Sequence, residues 1–290
     1  MRENTKRFLK SILIFLMFVV LFSGVILVVN FFKGGNQNQL GADNNEFLFL
    51  MAGVDSTGED TGTRTDTLML VKTNTEAKTM DLISIPRDSR VEINGYLDKI
   101  NAAHSYGGID LTMQTIRDFM GINLTYYLVI PFEAVVDGID ALGGIDVEVS
   151  GDVAEAMDIS SGIHHFSGKE ALDYVRFRKG YSNADLGRIS TQQDFMMQFI
   201  NEVSKPKNLP KLPIVYLAMK SKLKTNISLS QLKDLALAFR GMDTSKINQV
   251  RLDGEAVDID GISYFEVYDE SVQEIRSKYL SNFAYWGYIK

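Results

Sequence analysis

The hydrophobic and polar positions of the chain fall into three regimes. From residue 11 to residue 32 no side chain carries a formal charge, and the run SILIFLMFVVLFSGVILVVNFF softens only at Ser23, Gly24 and Asn30. At the rise of an α-helix it reaches ~33 Å, close to the ~30 Å hydrocarbon thickness of a bilayer. A cleaved secretory signal has a shorter apolar core and a small-x-small cleavage site, and neither is present, so the pattern predicts an uncleaved transmembrane helix over 11–32. Residues 33–45 (KGGNQNQLGADNN) have no apolar periodicity and read as a flexible linker of ~20 Å root-mean-square reach. Residues 46–290 remain for a single folded domain.

Within that domain, continuous apolar runs of strand length at 47–54, 67–73 and 80–85 predict three strands, the last two joined by a turn at 74–78. Helical spacing at Leu111, Met113, Ile116, Phe119 and Met120 predicts a helix over 109–120, stopped by Gly121. A strand at 126–130, a helix at 132–142 stopped by Gly143 and Gly144, and a strand at 145–149 follow. Ser167 and Glu170 form a capping box that opens the next helix. A long amphipathic stretch occupies 185–203, broken by Pro206 and Pro210. A Ser-capped helix over 229–239, a strand at 247–252 and a helix near 271–280 complete the chain. Strands alternating with helices, the strands apolar on both faces, predict an α/β fold: a mixed central β-sheet covered by helices on both faces, an α-β-α sandwich preceded by one transmembrane helix.

Charge then sets the orientation. Arg2, Lys6, Arg7 and Lys10 against Glu3 give residues 1–10 a net +3, which keeps that tail in the cytoplasm and sends the domain outside. Removing this +3 from the chain's −7 leaves −10 for residues 11–290. No basic stripe is available to displace counterions, so nucleic acid is excluded as a partner. Cysteine is absent, which removes thiol nucleophiles and thiolate metal sites and suits an exported protein of a single-membrane, Gram-positive bacterium.

Outside the tail there are ten arginines, and five fall in short patches that also hold Asp, Lys or Gln. The patches are GVDS at 53–56 leading to RTDT at 64–67, IPRD at 85–88, KINAAH at 99–104, and YVRFRK with DLGR across 174–188. Each sits at an expected strand end or helix start, where α/β sheets gather their ligand sites. The planar guanidinium suits phosphate oxygens, and convergent arginines in an acidic protein imply a specific anion. Asp55 and Asp66 flank adjacent strand ends. Two carboxylates beside an anionic ligand are consistent with a divalent cation between them, Mg²⁺ by its preference for one or two carboxylates plus phosphate. The plainer alternative makes Asp55 a turn residue and pairs Asp66 with Arg64. His104, His164 and His165 lack metal-ligand spacing, and the lysines at 205–224 read as a solvated basic face.

The ordered series G-x-D, RTDTLMLV, SIPRD, KINAAHSYGG, DALGGIDVEV, LDYVRFR and DLGRISTQQ resembles the LytR-CpsA-Psr family of bacterial cell-wall enzymes, over about residues 47–193, with a looser match (DGISYFEVYDESV) at 260–272. Members transfer an anionic glycopolymer from a polyprenyl-pyrophosphate carrier to peptidoglycan. The resemblance implies that Asp55 and Asp66 hold Mg²⁺, that Arg64, Arg87, Arg176 and Arg178 line the pyrophosphate with Asp66 among the catalytic groups, and that Lys99, Arg188 and Gln192 make further substrate contacts. Thr191 stands where the family often has arginine, removing one cationic contact. The expected protein is a membrane-anchored phosphotransferase acting outside the cell. A lipid-pyrophosphate sensor or transcriptional attenuator, and a pyrophosphatase using water as acceptor, are the alternatives. A polyprenyl tail needs apolar walls, for which the helices at 111–120, 132–142 and 186–200 are candidates.

Overall fold

The structure is a computed structural model that describes residues 45–54, 62–149, 151–176, 208, 211–238 and 246–285. The apolar run at 11–32, the linker and the stretch at 185–203 lie outside the described residues. Among the described residues no helix is long and apolar enough to cross a membrane. The chain forms two compact units, one of Asn36–Phe132 with Leu223–Lys290 and the other containing Glu133–Lys222.

The first unit is built on a six-stranded mixed sheet. Its strands are β1 (Glu46–Val54), β2 (Thr65–Asn74), β3 (Thr79–Ile85), β6 (Tyr126–Pro131), β9 (Lys224–Thr225) and β10 (Ile247–Arg251), in the order β10-β3-β2-β1-β6-β9. β1 runs antiparallel to β2 and parallel to β6, and β10 runs parallel to β3. Two hairpins accompany the sheet: β4 (Arg90–Ile93) with β5 (Tyr96–Lys99), and β11 (Gly254–Ile259) with β12 (Ile262–Val267). The helices of this unit are α1 (Ala102–Met120), α6 (Leu229–Ala238) and α7 (Asp269–Tyr279).

The continuous apolar reading of β1 has a direct cause: both of its faces are buried. Leu48, Leu50, Ala52 and Val54 join Met113, Ile116 and Met120 of α1 and Val272 and Ile275 of α7 in one core cluster. The alternate residues Phe47, Phe49 and Met51 are buried on the opposite face. There the Phe47 ring lies 4.6 Å from that of Tyr126, whose hydroxyl accepts a hydrogen bond from Gln231 Nε2 of α6 at 3.0 Å. Met113, Ile116 and Met120 of the 111–120 helix are thus core residues rather than walls of an open groove.

The helix expected from 109 begins earlier, because two helical segments meet at Gly107 and Gly108, which leave helical geometry. Gly121 closes α1 as expected, in the left-handed conformation (φ 63°) with its N–H on the Arg117 carbonyl. The two hairpins were absent from the strand pattern. Their turns, Asn94-Gly95 (φ 52° and 86°) and Asp260-Gly261 (φ 54° and 78°), place two successive residues at positive φ, which is the chemistry of two-residue hairpins. The N-G and D-G dipeptides were the available signals.

At Gly254 the backbones of β11 and β12 approach so closely that a Cβ would overlap the Glu266 carbonyl oxygen. Gly254→Ala is expected to destabilise the protein by about 1–3 kcal/mol, the usual cost of forcing an extra carbon into a packed site. A shift of the urea midpoint to lower concentration checks it; an unchanged midpoint would mean the hairpin yields freely.

In the second unit α2 (Phe132–Leu142) ends at Gly143 and Gly144, both at positive φ, followed by the hairpin of β7 (Ile145–Val149) and β8 (Gly162–Phe166). The remaining helices are α3 (Gly151–Met157), α4 (Gly168–Arg176) and α5 (Leu212–Met219). The predicted capping box is formed: Ser167 N–H and Oγ donate to Glu170 Oε2 at 2.8 and 2.7 Å, and Glu170 N–H donates back to Ser167 Oγ at 3.4 Å. Those hydrogen bonds hold the Glu170 carboxyl below the usual range. Two lysines of the supposed solvated face are engaged. Lys211 Nζ donates to the Leu142 carbonyl at 2.6 Å, where a cation complements a helix C-terminus, and Lys222 pairs with Asp137 at 2.7 Å.

Candidate functional site

One edge of the six-stranded sheet collects strand ends from four elements. Val54 at the end of β1 pairs with Thr65 at the start of β2, Leu68 of β2 pairs with Ile85 at the end of β3, and Arg251 at the end of β10 pairs with Ser84. Segments of sequence far apart are brought to one line by this register alone. The patches RTDT and IPRD both lie on it.

Asp66 is aimed by a defect in the ladder. The register steps from Gly53↔Thr67 to Val54↔Thr65, so Asp66 has no partner in β1 and is the extra residue of a β-bulge. Such a residue turns its side chain out of the regular alternation. Its carboxylate Oδ1 lies 2.7 Å from Arg87 Nη1, and both side chains are mostly covered, 28% and 20% exposed. The pairing of Asp66 with Arg64 entertained from spacing is therefore replaced: Arg87, twenty-one residues away, is the partner. Proximity in sequence lost to proximity across the strand ends.

Arg87 stands in a turn whose backbone is fixed on every side. Ser89 N–H and Oγ both donate to the Pro86 carbonyl at 3.0 and 2.7 Å, Asn101 N–H donates to the Arg87 carbonyl at 3.2 Å, and Phe265 N–H of β12 donates to the Asp88 carbonyl at 2.9 Å. Asp88 extends the charged set. Its Oδ2 lies 3.6 Å from Arg87 Nε and its Oδ1 2.9 Å from Lys99 Nζ. Lys99 and Arg90 both lie over the Tyr264 ring, at 5.8 and 5.9 Å from its centroid. The result is a chain of alternating charge, Asp66–Arg87–Asp88–Lys99, along the sheet edge. Asp88, Tyr264 and Arg90 were not singled out from sequence, although Asp88 is the last residue of the IPRD patch itself.

Arg64 precedes β2, is exposed, and makes no ion pair among the described residues. Tyr106 of α1 donates its hydroxyl to Asp98 Oδ2, and this bond raises the phenol above its ordinary pKa while the positive charge of Arg64 opposes the rise. Three side-chain oxygens near this edge, Thr63 Oγ1, Thr65 Oγ1 and Asn101 Oδ1, are buried without a hydrogen-bond partner among the described residues. Arg176 is the last residue of α4, in the second unit. Asp55, Arg178, Arg188 and Gln192 lie outside the described residues.

None of the histidines offers a free catalytic nitrogen pair. His104 is buried with Nδ1 on the Thr63 carbonyl, His164 Nε2 is on the Ser160 carbonyl, and His165 places Nδ1 on Asp146 and Nε2 on the Gly143 carbonyl. As for metal, no three His, Asp or Glu residues among those described form a preset cage. A partly exposed carboxylate on a bulge, paired with one arginine, instead fits an ion held by one or two carboxylates with water and phosphate in its remaining positions. Mg²⁺ binds in that way.

A profile of the LytR_cpsA_psr family matches residues 30–280. The polyisoprenyl-teichoic acid–peptidoglycan teichoic acid transferase TagU of Bacillus licheniformis is 31% identical over 240 residues, covering 81% of this chain and 78% of that protein. TagU of Bacillus subtilis is 30% identical over 232 residues, covering 79% and 75%. Among solved structures, B. subtilis TagV superposes with a TM-score of 0.61 at 28% identity, over 81% of this chain and 96% of that one. TagT bound to LI-WTA gives 0.61 at 28% identity, over 86% and 94%.

Proposed function

Because the chain belongs to the LytR-CpsA-Psr family, we propose that it is a phosphotransferase that moves an anionic glycopolymer, of the teichoic acid class, from a polyprenyl-pyrophosphate carrier to peptidoglycan. The observation that carries this reading is the Asp66–Arg87–Asp88–Lys99 chain at the sheet edge, anchored on a bulge and a fixed turn. A line of fixed cations at a strand end suits phosphate oxygens, and its carboxylates suit a metal-bearing anion rather than a bare one.

In the proposed reaction an acceptor hydroxyl oxygen forms a bond to the sugar-linked phosphorus. The bond from that phosphorus to the bridging oxygen breaks, and polyprenyl monophosphate leaves with the electron pair. The hydroxyl proton passes to a carboxylate, for which Asp66 and Asp55 are the candidates. Arg87 and Lys99, with Arg64, Arg176 and Arg178, bind the equatorial oxygens as charge redistributes, and Arg188 and Gln192 orient the carrier. Catalysis of this kind rests on positioning and on charge stabilisation rather than on covalent chemistry by the protein. Mg²⁺ held by Asp55 and Asp66 would supply further neutralisation of the phosphate charge. A phosphoanhydride bond is exchanged for a phosphodiester bond, a downhill exchange, so no nucleotide is consumed.

The same reading includes an anchor at 11–32, a cytoplasmic tail at 1–10, and a catalytic domain at the outer surface of the cell membrane. Helices on both faces of the sheet are supported by α1 and α7 in one core cluster and by the Gln231–Tyr126 bond of α6 on the other face. The test is a single-turnover assay with the full-length protein, a synthetic polyprenyl-pyrophosphoryl glycan and cell-wall acceptor. Label is expected in the acceptor. Glycan phosphate released to water alone would make the protein a pyrophosphatase, and binding without turnover would make it a sensor.

A further inference from the structure

We infer that Asp88 is a positioning residue that spaces Arg87 and Lys99 as a two-point clamp for adjacent phosphates, so that the site prefers a pyrophosphate over a single phosphate. The inference rests on the transferase reading for its ligand, but its geometry stands separately. Two cations side by side repel, and left alone they would diverge. Here one carboxylate holds both, Arg87 Nε on Oδ2 at 3.6 Å and Lys99 Nζ on Oδ1 at 2.9 Å. Each cation is also held from its other side. Arg87 Nη1 is fixed on Asp66 at 2.7 Å, and Lys99 rests over the Tyr264 ring at 5.8 Å.

The backbone that carries this carboxylate is fixed for reasons that do not involve its charge. The Asp88 carbonyl accepts Phe265 N–H, the flanking Arg87 carbonyl accepts Asn101 N–H, and the neighbouring Ser89, fully buried, bridges to Phe265 and is tied to Pro86. Replacing the side chain therefore leaves the turn's backbone bonds intact. A negative charge beside an anion site is otherwise counterproductive, since it lowers the attraction for every phosphate. Its presence between the two cations is accounted for if order at two points is worth more than the charge it cancels. A ligand with one phosphate engages one cation at a time and gains little from the spacing; a ligand with two engages both.

This account and simple electrostatics predict opposite signs. If Asp88 only dilutes positive charge, Asp88→Asn should bind both inorganic phosphate and inorganic pyrophosphate more tightly. If Asp88 sets the spacing, Asp88→Asn should lose about tenfold in pyrophosphate affinity, the worth of one charge-assisted contact, with orthophosphate affinity nearly unchanged. Asp88→Glu, which restores the carboxylate, should recover part of the preference.

The experiment is isothermal titration of both anions into the full-length protein in detergent at fixed magnesium, for wild type, Asp88→Asn and Asp88→Glu, with thermal unfolding and the transfer assay alongside. A fall in the pyrophosphate-to-phosphate affinity ratio of Asp88→Asn at unchanged Tm, with KM raised more than kcat is lowered, supports the clamp. Equal weakening of both anions with a lowered Tm would show a structural role only, and tighter binding of both would show plain electrostatics; either overturns it. A wild type with no preference for pyrophosphate also overturns it, even if that protein transfers glycan. Loss of the preference in Asp88→Asn, in a protein whose wild type transfers nothing, would leave the clamp standing and remove the transferase reading.

Discussion

Asp66→Asn is expected to lower the rate of glycopolymer transfer by about 10²–10³-fold, the usual loss on removing one preorganised charge-stabilising group, while leaving the protein folded. The substitution keeps the size and the hydrogen-bonding outline of the side chain and deletes only its charge. That charge has two proposed tasks. It holds Arg87 Nη1 at 2.7 Å, and with Asp55 it would hold Mg²⁺. The stability cost is modest, about 1–2 kcal/mol, because asparagine keeps an oxygen that accepts a hydrogen bond from Arg87 and only the charge is lost. Circular dichroism should therefore overlay that of wild type. Wild type, Asp55→Asn and Asp66→Asn compared across a magnesium titration complete the test. If both variants keep wild-type rates, or wild type is indifferent to chelator, metal-assisted transfer by these carboxylates is wrong and the sensor reading gains.

The second large effect is on binding. Arg87→Ala removes a guanidinium that lies between two carboxylates, Asp66 and Asp88, on a turn fixed by four backbone contacts. An arginine so ordered loses little conformational entropy when it binds a phosphate. Affinity for a polyprenyl pyrophosphate is expected to fall by about 1.5–3 kcal/mol, roughly 10- to 150-fold, as for a hydrogen bond to a charged group. Lys246→Ala is the control. Lys246 is exposed and reaches the Ala77 carbonyl in the β2–β3 turn, at the far end of the sheet from the site. Arg251 would serve poorly as a control, since it ends β10 on the site edge and stacks on Phe265 at 5.3 Å. Equal affinity in wild type, Arg87→Ala and Lys246→Ala would remove Arg87 from the anion site.

Sequence alone determined the elements whose cause is local or periodic. Burial on both faces made β1, β2 and β3 legible as apolar runs, glycine at positive φ marked the ends of α1 and α2, and the Ser167–Glu170 box marked a helix start through bonds spanning three residues. The ordered motif series determined the family in the same way, since motif order is a property of the chain. What only the tertiary structure decided is pairing. No local rule distinguishes Arg64 from Arg87 as the partner of Asp66; the bulge between Gly53 and Val54 and the antiparallel register of β2 on β3 do. Asp88 was written beside Arg87 in the sequence, but its contact with Lys99 exists only because the Asn94-Gly95 turn folds β5 back along β4. Tyr264 reaches Lys99 from more than 160 positions away through the backbone bond of Phe265 to Asp88. Charges far apart in the chain interact through distance in space, and that distance is set by strand register, which the residues forming the site do not themselves encode.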